Sequence, residues 1–323
     1  MTDERANRRF REFGGWRLVR GYWRMGVLGT FVWQSLRVLL RFSNWDDAYT
    51  KLLRQVAPRL RQQYYPLLLA LKNKYKDESK IISPLTSHCL WFCWLQGIEQ
   101  APPLVHACLN SIRRNLPERE VVVLSLANYR DYVELPSEIE EKFRRGYIPN
   151  ALFSDMLRVA LLCQHGGTWM DASLLCTSHN FPPRVLDCDL FLFQHLQPGE
   201  YRFRGTSNWF ITACPQNPLL LVLRDLLFQY WRDHDCTLDY YIFHQFFAWI
   251  AQECPEEVAA MPRGNRLPPL QLGARLDKPF DAKWWDDFTD RCAFHKLNFR
   301  VAERIKHPAN TYYAHILEQY GTV

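Results

Sequence analysis

The hydrophobic pattern divides the chain into two parts. In residues 1 to about 83, apolar positions recur at the three- to four-residue spacing of helices, and strand-like β-branched runs are absent. From His88 onward, short apolar runs alternate with longer amphipathic stretches. We therefore predict a helical N-terminal region over residues 1–83, a boundary near Pro84, and an α/β domain over residues 84–323.

The second part predicts a regular series of strands and helices. Strands are predicted at 90–94, 121–125, 168–170, 190–193 and 209–213, and helices after Pro102–Pro103 and over 154–164, 217–231 and 238–250. This alternation is typical of an α/β sheet with helices on both faces. In such sheets, ligands bind just outside the carboxyl ends of the strands, so polar residues at those ends are candidates for a site.

Charge is concentrated at the amino terminus. The net charge is +6, and seven arginines stand against three acidic residues between Met1 and Arg24. Such a basic arm indicates attraction to anionic lipid, another polyanion or nucleic acid, or else a solvated charged segment. Nucleic acid is not an expected partner, because the basic residues lie outside the predicted folded core and no nucleic-acid module is visible.

The uncharged stretch from Met25 to Leu36 follows this arm. It is too short to cross a bilayer as a helix, which takes about 20 residues. Its aromatic and aliphatic side chains suit an amphipathic helix lying on an anionic membrane surface, or a helix packed on the main domain. No secretory signal pattern is present, so the expectation is a protein that is cytoplasmic, free or peripheral on the membrane, and not secreted.

The 10 cysteines give no support for a zinc site, since no two form a Cys-x-x-Cys pair. Several lie within apolar runs, among them Cys93 and Cys163. We interpret them as small buried hydrophobic residues in a reducing compartment.

Candidate chemistry is concentrated in one segment. Asp155 and Arg158 are three residues apart, so they share a face of the predicted helix close to its start, where the helix dipole favours negative charge. Asp171 ends the next strand, and the glycine pair Gly166–Gly167 separates the two elements. Two carboxylates and a guanidinium suit binding of sugar and ribose hydroxyls and of a diphosphate. The alternatives are a surface ion pair and a plain helix stop.

The order Ser154-Asp155-x-x-Arg158, then Gly166-Gly167-x-x-x-Asp171, resembles the donor-binding segment of the capsular polysaccharide synthesis family. That family is related to glycosyltransferases whose sugar-binding region contains a DxD motif, such as yeast initiating mannosyltransferases and large clostridial toxins. The similarity extends over roughly residues 88–250. The other matching segments are Trp91–Gly97, Ala101–Val105, Cys108–Ile112, Asn128–Tyr129, Leu135–Pro136, Ser207–Phe210, and Asp239–Tyr240 with His244.

The resemblance implies a GT-A-like, Rossmann-like glycosyltransferase domain, a nucleoside-diphosphate-sugar donor, and a divalent cation, Mn²⁺ or Mg²⁺. The protein would move a sugar, with a hexose as the expectation, to a polysaccharide, glycolipid or related acceptor. The catalytic candidates are Asp155 and Arg158, which would hold the sugar and ribose hydroxyls, and Asp171, which would bind the donor and assist the metal. The further candidates for donor contacts are Gly167, Ser173, Gln96 and Trp91. Trp91 could instead be a residue of the hydrophobic core. The acceptor-side candidates are Asn208, Trp209, Asp239 and His244. His244 could instead be a core histidine whose ring is hydrogen-bonded within the protein.

Ser173 departs from the family pattern, because it stands where the DxD motif has its second aspartate. A hydroxyl is a weaker ligand for Mn²⁺ or Mg²⁺ than a carboxylate, so a divalent cation at Asp171 and Ser173 stays the expectation, but Ser173 argues against a strong dependence on it. A basic residue is the alternative source of part of the positive charge, and the sequence does not identify it. The alternative is a non-catalytic, transferase-like subunit of a polysaccharide-synthesis complex that binds a nucleotide or glycan.

Overall fold

The computed structural model describes residues 10–40, 42–78, 87–195, 206–302, 305 and 309–321. The predicted boundary at Pro84 and three arginines of the basic arm, at positions 5, 8 and 9, lie outside these residues. The helices are α1 (Trp16–Arg24), α2 (Leu28–Leu39), α3 (Trp45–Glu78), α4 (Pro103–Asn115), α5 (Ser137–Arg144), α6 (Asn150–His165), α7 (Pro218–Asp233), α8 (Ile242–Glu253), α9 (Pro255–Ala260), α10 (Leu267–Gln271), α11 (Ala282–Thr289), α12 (Phe299–Ala302) and α13 (Tyr312–Tyr320).

A mixed five-stranded sheet forms the centre of the α/β part, with strand order β2-β1-β3-β6-β5. Strands β1 and β3 pair in parallel, as do β1 and β2, whereas β6 runs antiparallel to both β3 and β5. A separate two-stranded antiparallel sheet joins β4 to β7. The strands are β1 (Cys89–Cys93), β2 (Glu120–Leu124), β3 (Gly167–Asp171), β4 (Leu174–Cys176), β5 (Leu190–Leu192), β6 (Phe210–Ala213) and β7 (Phe294–Lys296).

The chain divides into two compact units that are discontinuous in sequence. The first contains residues 1–81, 134–160 and 218–254, and the second contains 82–133, 161–217 and 255–323. The helices predicted for the N-terminal region are present, and they group with two later segments of the chain. The division into domains at residues 83 and 84 stays a prediction.

Long-range side-chain contacts hold the first unit together. The Tyr64 hydroxyl donates to Asp233 Oδ2 at 2.9 Å, and the Tyr65 hydroxyl donates to Glu253 Oε1 at 2.7 Å. Lys142 Nζ donates to three carbonyls at the end of α7, including that of Trp231 at 2.6 Å. A cation at this end satisfies carbonyls that have no partner within the helix. These contacts attach the N-terminal helix α3, and helix α5, to the segment 218–254.

The second unit has its own hydrophobic core. The faces of β1, β3 and β6 contribute Phe92, Met170 and Phe210, each of which is fully buried. Helix α4 packs on β4 and on α13. Eight of the ten cysteines are buried and all ten are free thiols, which agrees with their interpretation as small apolar residues.

Within the described residues, the predicted strands and helices are present, with shifted ends. Helix α6 is an important case, since it begins at Asn150 and not at Ser154. It is also buried on nearly all sides rather than amphipathic. No helix in the part of the chain that the structure describes is long and apolar enough to cross a membrane.

Candidate functional site

Strand register brings several of the predicted residues to one edge of the second unit. Asp171 is the last residue of β3 and pairs with Cys93 at the end of β1, so Gln96 follows just beyond the same edge, where it is exposed. Strand β6 is antiparallel and begins at this edge, and the Asp171 N–H donates to the Trp209 carbonyl at 2.9 Å. Asn208 precedes Trp209. The carboxyl edge therefore carries Gln96, Asp171, Asn208 and Trp209 together.

Asp171 and Ser173 share a third partner, Lys296. The Lys296 ammonium donates to Asp171 Oδ2 at 2.5 Å and also to Ser173 Oγ. The Ser173 hydroxyl in turn donates to Asp171 Oδ2 at 3.4 Å. The side chains of Lys296 and Asp171 remain 21% and 30% exposed, so a ligand can reach both. The result is a carboxylate, a hydroxyl and an ammonium in direct contact at the sheet edge.

The donor atoms at this place do not fit a divalent cation. Mn²⁺ and Mg²⁺ are bound by several oxygen ligands, with carboxylates preferred. Here the residues supply one carboxylate and one hydroxyl, and the ammonium of Lys296 already occupies both. No group of three His, Cys, Asp or Glu side chains suited to a metal occurs among the described residues. A cation at Asp171 and Ser173 would have to displace Lys296.

Asp155 and Arg158 form a buried ion pair in the first unit. Arg158 Nη1 lies 3.3 Å from Asp155 Oδ1, and both side chains are only 5% exposed. Arg158 also donates from Nη2 to Ser154 Oγ at 3.0 Å and from Nε to the Ser154 carbonyl at 3.1 Å. The alternative of a surface ion pair is therefore wrong. Because α6 begins at Asn150, Asp155 lies beyond the first turn, so the argument from the helix start is also wrong.

Gly167 opens β3, whereas Asp171 closes it, so the two lie about 13 Å apart along the strand. Its backbone has a φ of 88°, and an added Cβ would lie 2.5 Å from the Cys89 carbonyl oxygen. Close pairing with β1 therefore accounts for this glycine without any ligand. Its role as a donor contact stays a prediction that its position does not support.

Trp91 lies inside the second unit and is 2% exposed. Its indole N–H donates to the Gly166 carbonyl at 2.8 Å, and its ring contacts those of Tyr132 and His165. These are the contacts of a core residue whose polar atom is satisfied. Stacking of Trp91 on a donor base stays a prediction.

The acceptor-side candidates divide between the two units. Asn208 is half-buried at the sheet edge, and Trp209 stacks on Phe193 with ring centroids 5.1 Å apart. Asp239 and His244 belong to the first unit. Asp239 is completely buried, and burial raises the pKa of its carboxyl to about 6. The structure leaves the acceptor assignments of all four residues as predictions.

Sequence reasoning missed two residues at the carboxyl edge, Lys296 and His195. His195 follows β5, whose antiparallel pairing with β6 places the end of β5 beside the start of β6. Lys296 is brought in by β7, which pairs with β4 so that Lys296 lies opposite Leu174. Neither residue stands in a motif. Strand pairing between distant segments was the information required to find them.

The sequence matches the profile of a known protein family. The profile of a family described as "Capsular polysaccharide synthesis protein" matches residues 38–316. Among solved structures, the chain is similar to one titled "PaToxG Glycosyltransferase", with 13% sequence identity and a TM-score of 0.36, over 80% of this chain and 97% of that chain. No curated protein matches the sequence.

Proposed function

Because the chain belongs to the capsular polysaccharide synthesis protein family, we propose that it is a glycosyltransferase. Its donor would be a nucleoside-diphosphate hexose, and its acceptor a hydroxyl of a polysaccharide or glycolipid. The proposal includes a GT-A-like arrangement of the sheet, for which the three adjacent parallel strands β2, β1 and β3 give support.

One observation carries this proposal: the contact of Asp171, Ser173 and Lys296 at the carboxyl end of β3. Carboxylate and hydroxyl oxygens accept hydrogen bonds from sugar hydroxyls, and an ammonium binds phosphate oxygens. Gln96 and Asn208 add amide groups at the same edge, where they are suited to ribose and sugar hydroxyls. A polar set of this kind matches a ligand with a sugar at one end and a diphosphate at the other.

The proposed transfer is a substitution at the anomeric carbon of the donor. The acceptor oxygen bonds to that carbon, and the bond from the carbon to the phosphate oxygen breaks with its electron pair going to the diphosphate. The acceptor proton is released to solvent. The diphosphate gains one negative charge, so fixed positive charge beside it stabilises the transition state. We assign donor orientation to Asp171, and retain Asp155 and Arg158 as predicted contacts of the sugar and ribose.

The test is release of nucleoside diphosphate from a panel of nucleotide sugars, measured with and without glycan acceptors. Asp171→Asn should lower release about 100-fold or more, because a charged hydrogen-bond acceptor at the reacting end is lost. Asp277→Asn is the matched control, since that carboxylate is exposed and pairs with its exposed neighbour Lys278. Equal release by wild type and Asp171→Asn would contradict the proposal.

The alternative is a nucleotide- or glycan-binding subunit without turnover, and the hydroxyl of Ser173 in place of a carboxylate favours it. Calorimetry separates the two functions. A binding subunit would take up a nucleotide sugar and leave it intact with every acceptor. An enzyme would bind the same donor and release the nucleoside diphosphate.

We also propose that the segment 16–42 contacts an anionic membrane surface, which would bring the enzyme to a lipid-borne acceptor. Helices α1 and α2 and the residues after them hold large apolar side chains that are between 61% and 82% exposed: Trp16, Trp23, Trp33, Leu39, Leu40 and Phe42. No Asp or Glu occurs between Glu12 and Asp46, whereas five arginines do. Exposed aromatic residues with arginines and no acids are typical of interfacial helices.

Flotation of the full chain with vesicles of phosphatidylcholine, with and without phosphatidylglycerol, tests the membrane proposal. Replacing Trp23 and Trp33 together by serine should weaken binding to the anionic vesicles about tenfold or more, because their burial in the interface is lost. Leu126→Ser, an exposed apolar position in the second unit, is the control. Absence of binding by the wild type to anionic vesicles would refute it.

A further inference from the structure

We infer that Lys296 supplies the positive charge that holds the donor diphosphate, so that this site uses its donor without a divalent cation. The inference rests on the proposed function and deepens it. It starts from the contact of the Lys296 ammonium with Asp171 Oδ2, at 2.5 Å, and with Ser173 Oγ. These two oxygens are the ones that a metal ion at this place would need.

The backbone holds Lys296 in this position. Strand β7 pairs with β4, and the Leu297 N–H donates to the Ser173 carbonyl at 2.8 Å. On the other side, an added Cβ at Gly273 would lie 2.7 Å from the Lys296 carbonyl oxygen, so the chain packs closely against β7. The preceding residue, His295, is fully buried and shares a hydrogen bond of 2.8 Å with the Thr177 hydroxyl. Alternation along the strand then directs Lys296 away from the buried side of His295.

Charge balance at the site agrees with an ammonium and not with a divalent ion. One carboxylate and one ammonium leave the site neutral, as two carboxylates and one divalent cation would. With Ser173 uncharged, a divalent ion bound at Asp171 beside Lys296 would leave a net charge of +2 within a few ångströms. Repulsion between the ammonium and the metal ion opposes that arrangement. With Ser173 uncharged, the single positive charge of Lys296 is sufficient to neutralise the single negative charge of Asp171.

In the transfer reaction, Lys296 acts by electrostatics and keeps its proton. As the bond between the anomeric carbon and the phosphate oxygen breaks, the electron pair moves to the diphosphate, and the ammonium donates its third N–H, which faces the Leu297 carbonyl at 3.5 Å, to a phosphate oxygen. Its position is fixed before the reaction by Asp171 and Ser173, so little reorganisation is needed when the charge develops. Because Lys296 is one-fifth exposed, a phosphate can reach it.

The experiment measures binding of UDP, GDP, ADP and dTDP by calorimetry, in EDTA and in Mn²⁺. Wild type should bind one of them in EDTA with an affinity within about threefold of that in Mn²⁺. Lys296→Met should weaken this binding in EDTA about 10- to 100-fold, because a hydrogen bond from a charged donor is lost. Lys296→Arg should retain most of it. Lys278→Met, which removes an exposed lysine of the same unit, should bind as wild type does.

The outcomes separate this inference from the proposed function. Binding by wild type that requires Mn²⁺ and disappears in EDTA would overturn the role of Lys296 and leave the glycosyltransferase proposal standing. Wild-type affinity of Lys296→Met in EDTA would do the same. If Lys296→Met fails to fold, the EDTA comparison on wild type still decides. Failure of wild type to bind any of the four nucleotides under either condition would overturn the proposed function, and this inference with it.

Discussion

Replacing Asp239 with asparagine should stabilise the folded chain at neutral and alkaline pH. The Asp239 side chain is completely buried, and its Oδ1 accepts a hydrogen bond of 2.7 Å from the Tyr241 N–H. Among the described residues, its Oδ2 has no hydrogen-bond partner. Burial of this half-satisfied carboxylate raises its pKa from 3.8 to about 6. Asparagine preserves the acceptor for Tyr241 and removes the charge.

The magnitude follows from the difference between the two pKa values. About two pKa units correspond to about 3 kcal/mol of folding free energy. Since the folded-state pKa is the higher one, the folded chain binds the proton more tightly than the unfolded chain does. The buried charged carboxylate therefore lowers the free energy of unfolding by the full amount above about pH 6. This destabilisation declines as the pH falls from 6 to about 4, and it is absent below 3.8.

Denaturant unfolding of wild type and Asp239→Asn at pH 8 and pH 4 measures this difference. We expect the free energy of unfolding of the variant to exceed that of wild type by about 2–3 kcal/mol at pH 8 and by under about 1 kcal/mol at pH 4. Asp277→Asn, at an exposed carboxylate, should show no such dependence on pH. A gain that is the same at both pH values, or no gain at pH 8, would refute the reasoning. Loss of transfer in the stabilised variant would support the predicted acceptor-side role of Asp239.

Three further predictions concern buried residues of the two units. Gly167→Ala should cost about 3 kcal/mol in thermal or denaturant unfolding, because its φ is 88° and the new Cβ would lie 2.5 Å from the Cys89 carbonyl oxygen; a change under about 0.5 kcal/mol would contradict this. Arg158→Met should cost about 3–5 kcal/mol, since it leaves the buried Asp155 carboxylate without its cation, and a double change with Asp155→Leu should recover much of the loss. Burial lowers the pKa of His295 to about 3, so wild type should lose about 2 kcal/mol between pH 7 and pH 5 through this residue, and His295→Gln should lack that part of the pH slope.

Local signals in the sequence were sufficient for the secondary structure and for the principal motif. The β-branched run at 121–123 gives β2, and the turn at Gly166–Gly167 separates α6 from β3, because both depend on conformational preferences of neighbouring residues. The start of α6 was misplaced by four residues, although Pro149 and Asn150 are residue types that commonly stand at the beginning of a helix. Asp171 was correctly placed at the end of a strand. The roles of these residues toward a donor stay predictions.

Tertiary structure decided the surroundings of those residues. Whether Asp155 and Arg158 are exposed or buried depends on how many other elements cover α6, and a helical spacing of three residues is the same in both cases. Lys296 is 123 residues from Ser173 and reaches it only through pairing of β7 with β4. The sequence by itself determined which residues carry the motif and where the strand before Asp171 ends, because local geometry governs both. Only the folded chain determined which cation stands beside Asp171, because contacts between distant segments are set by strand register and packing of the whole unit.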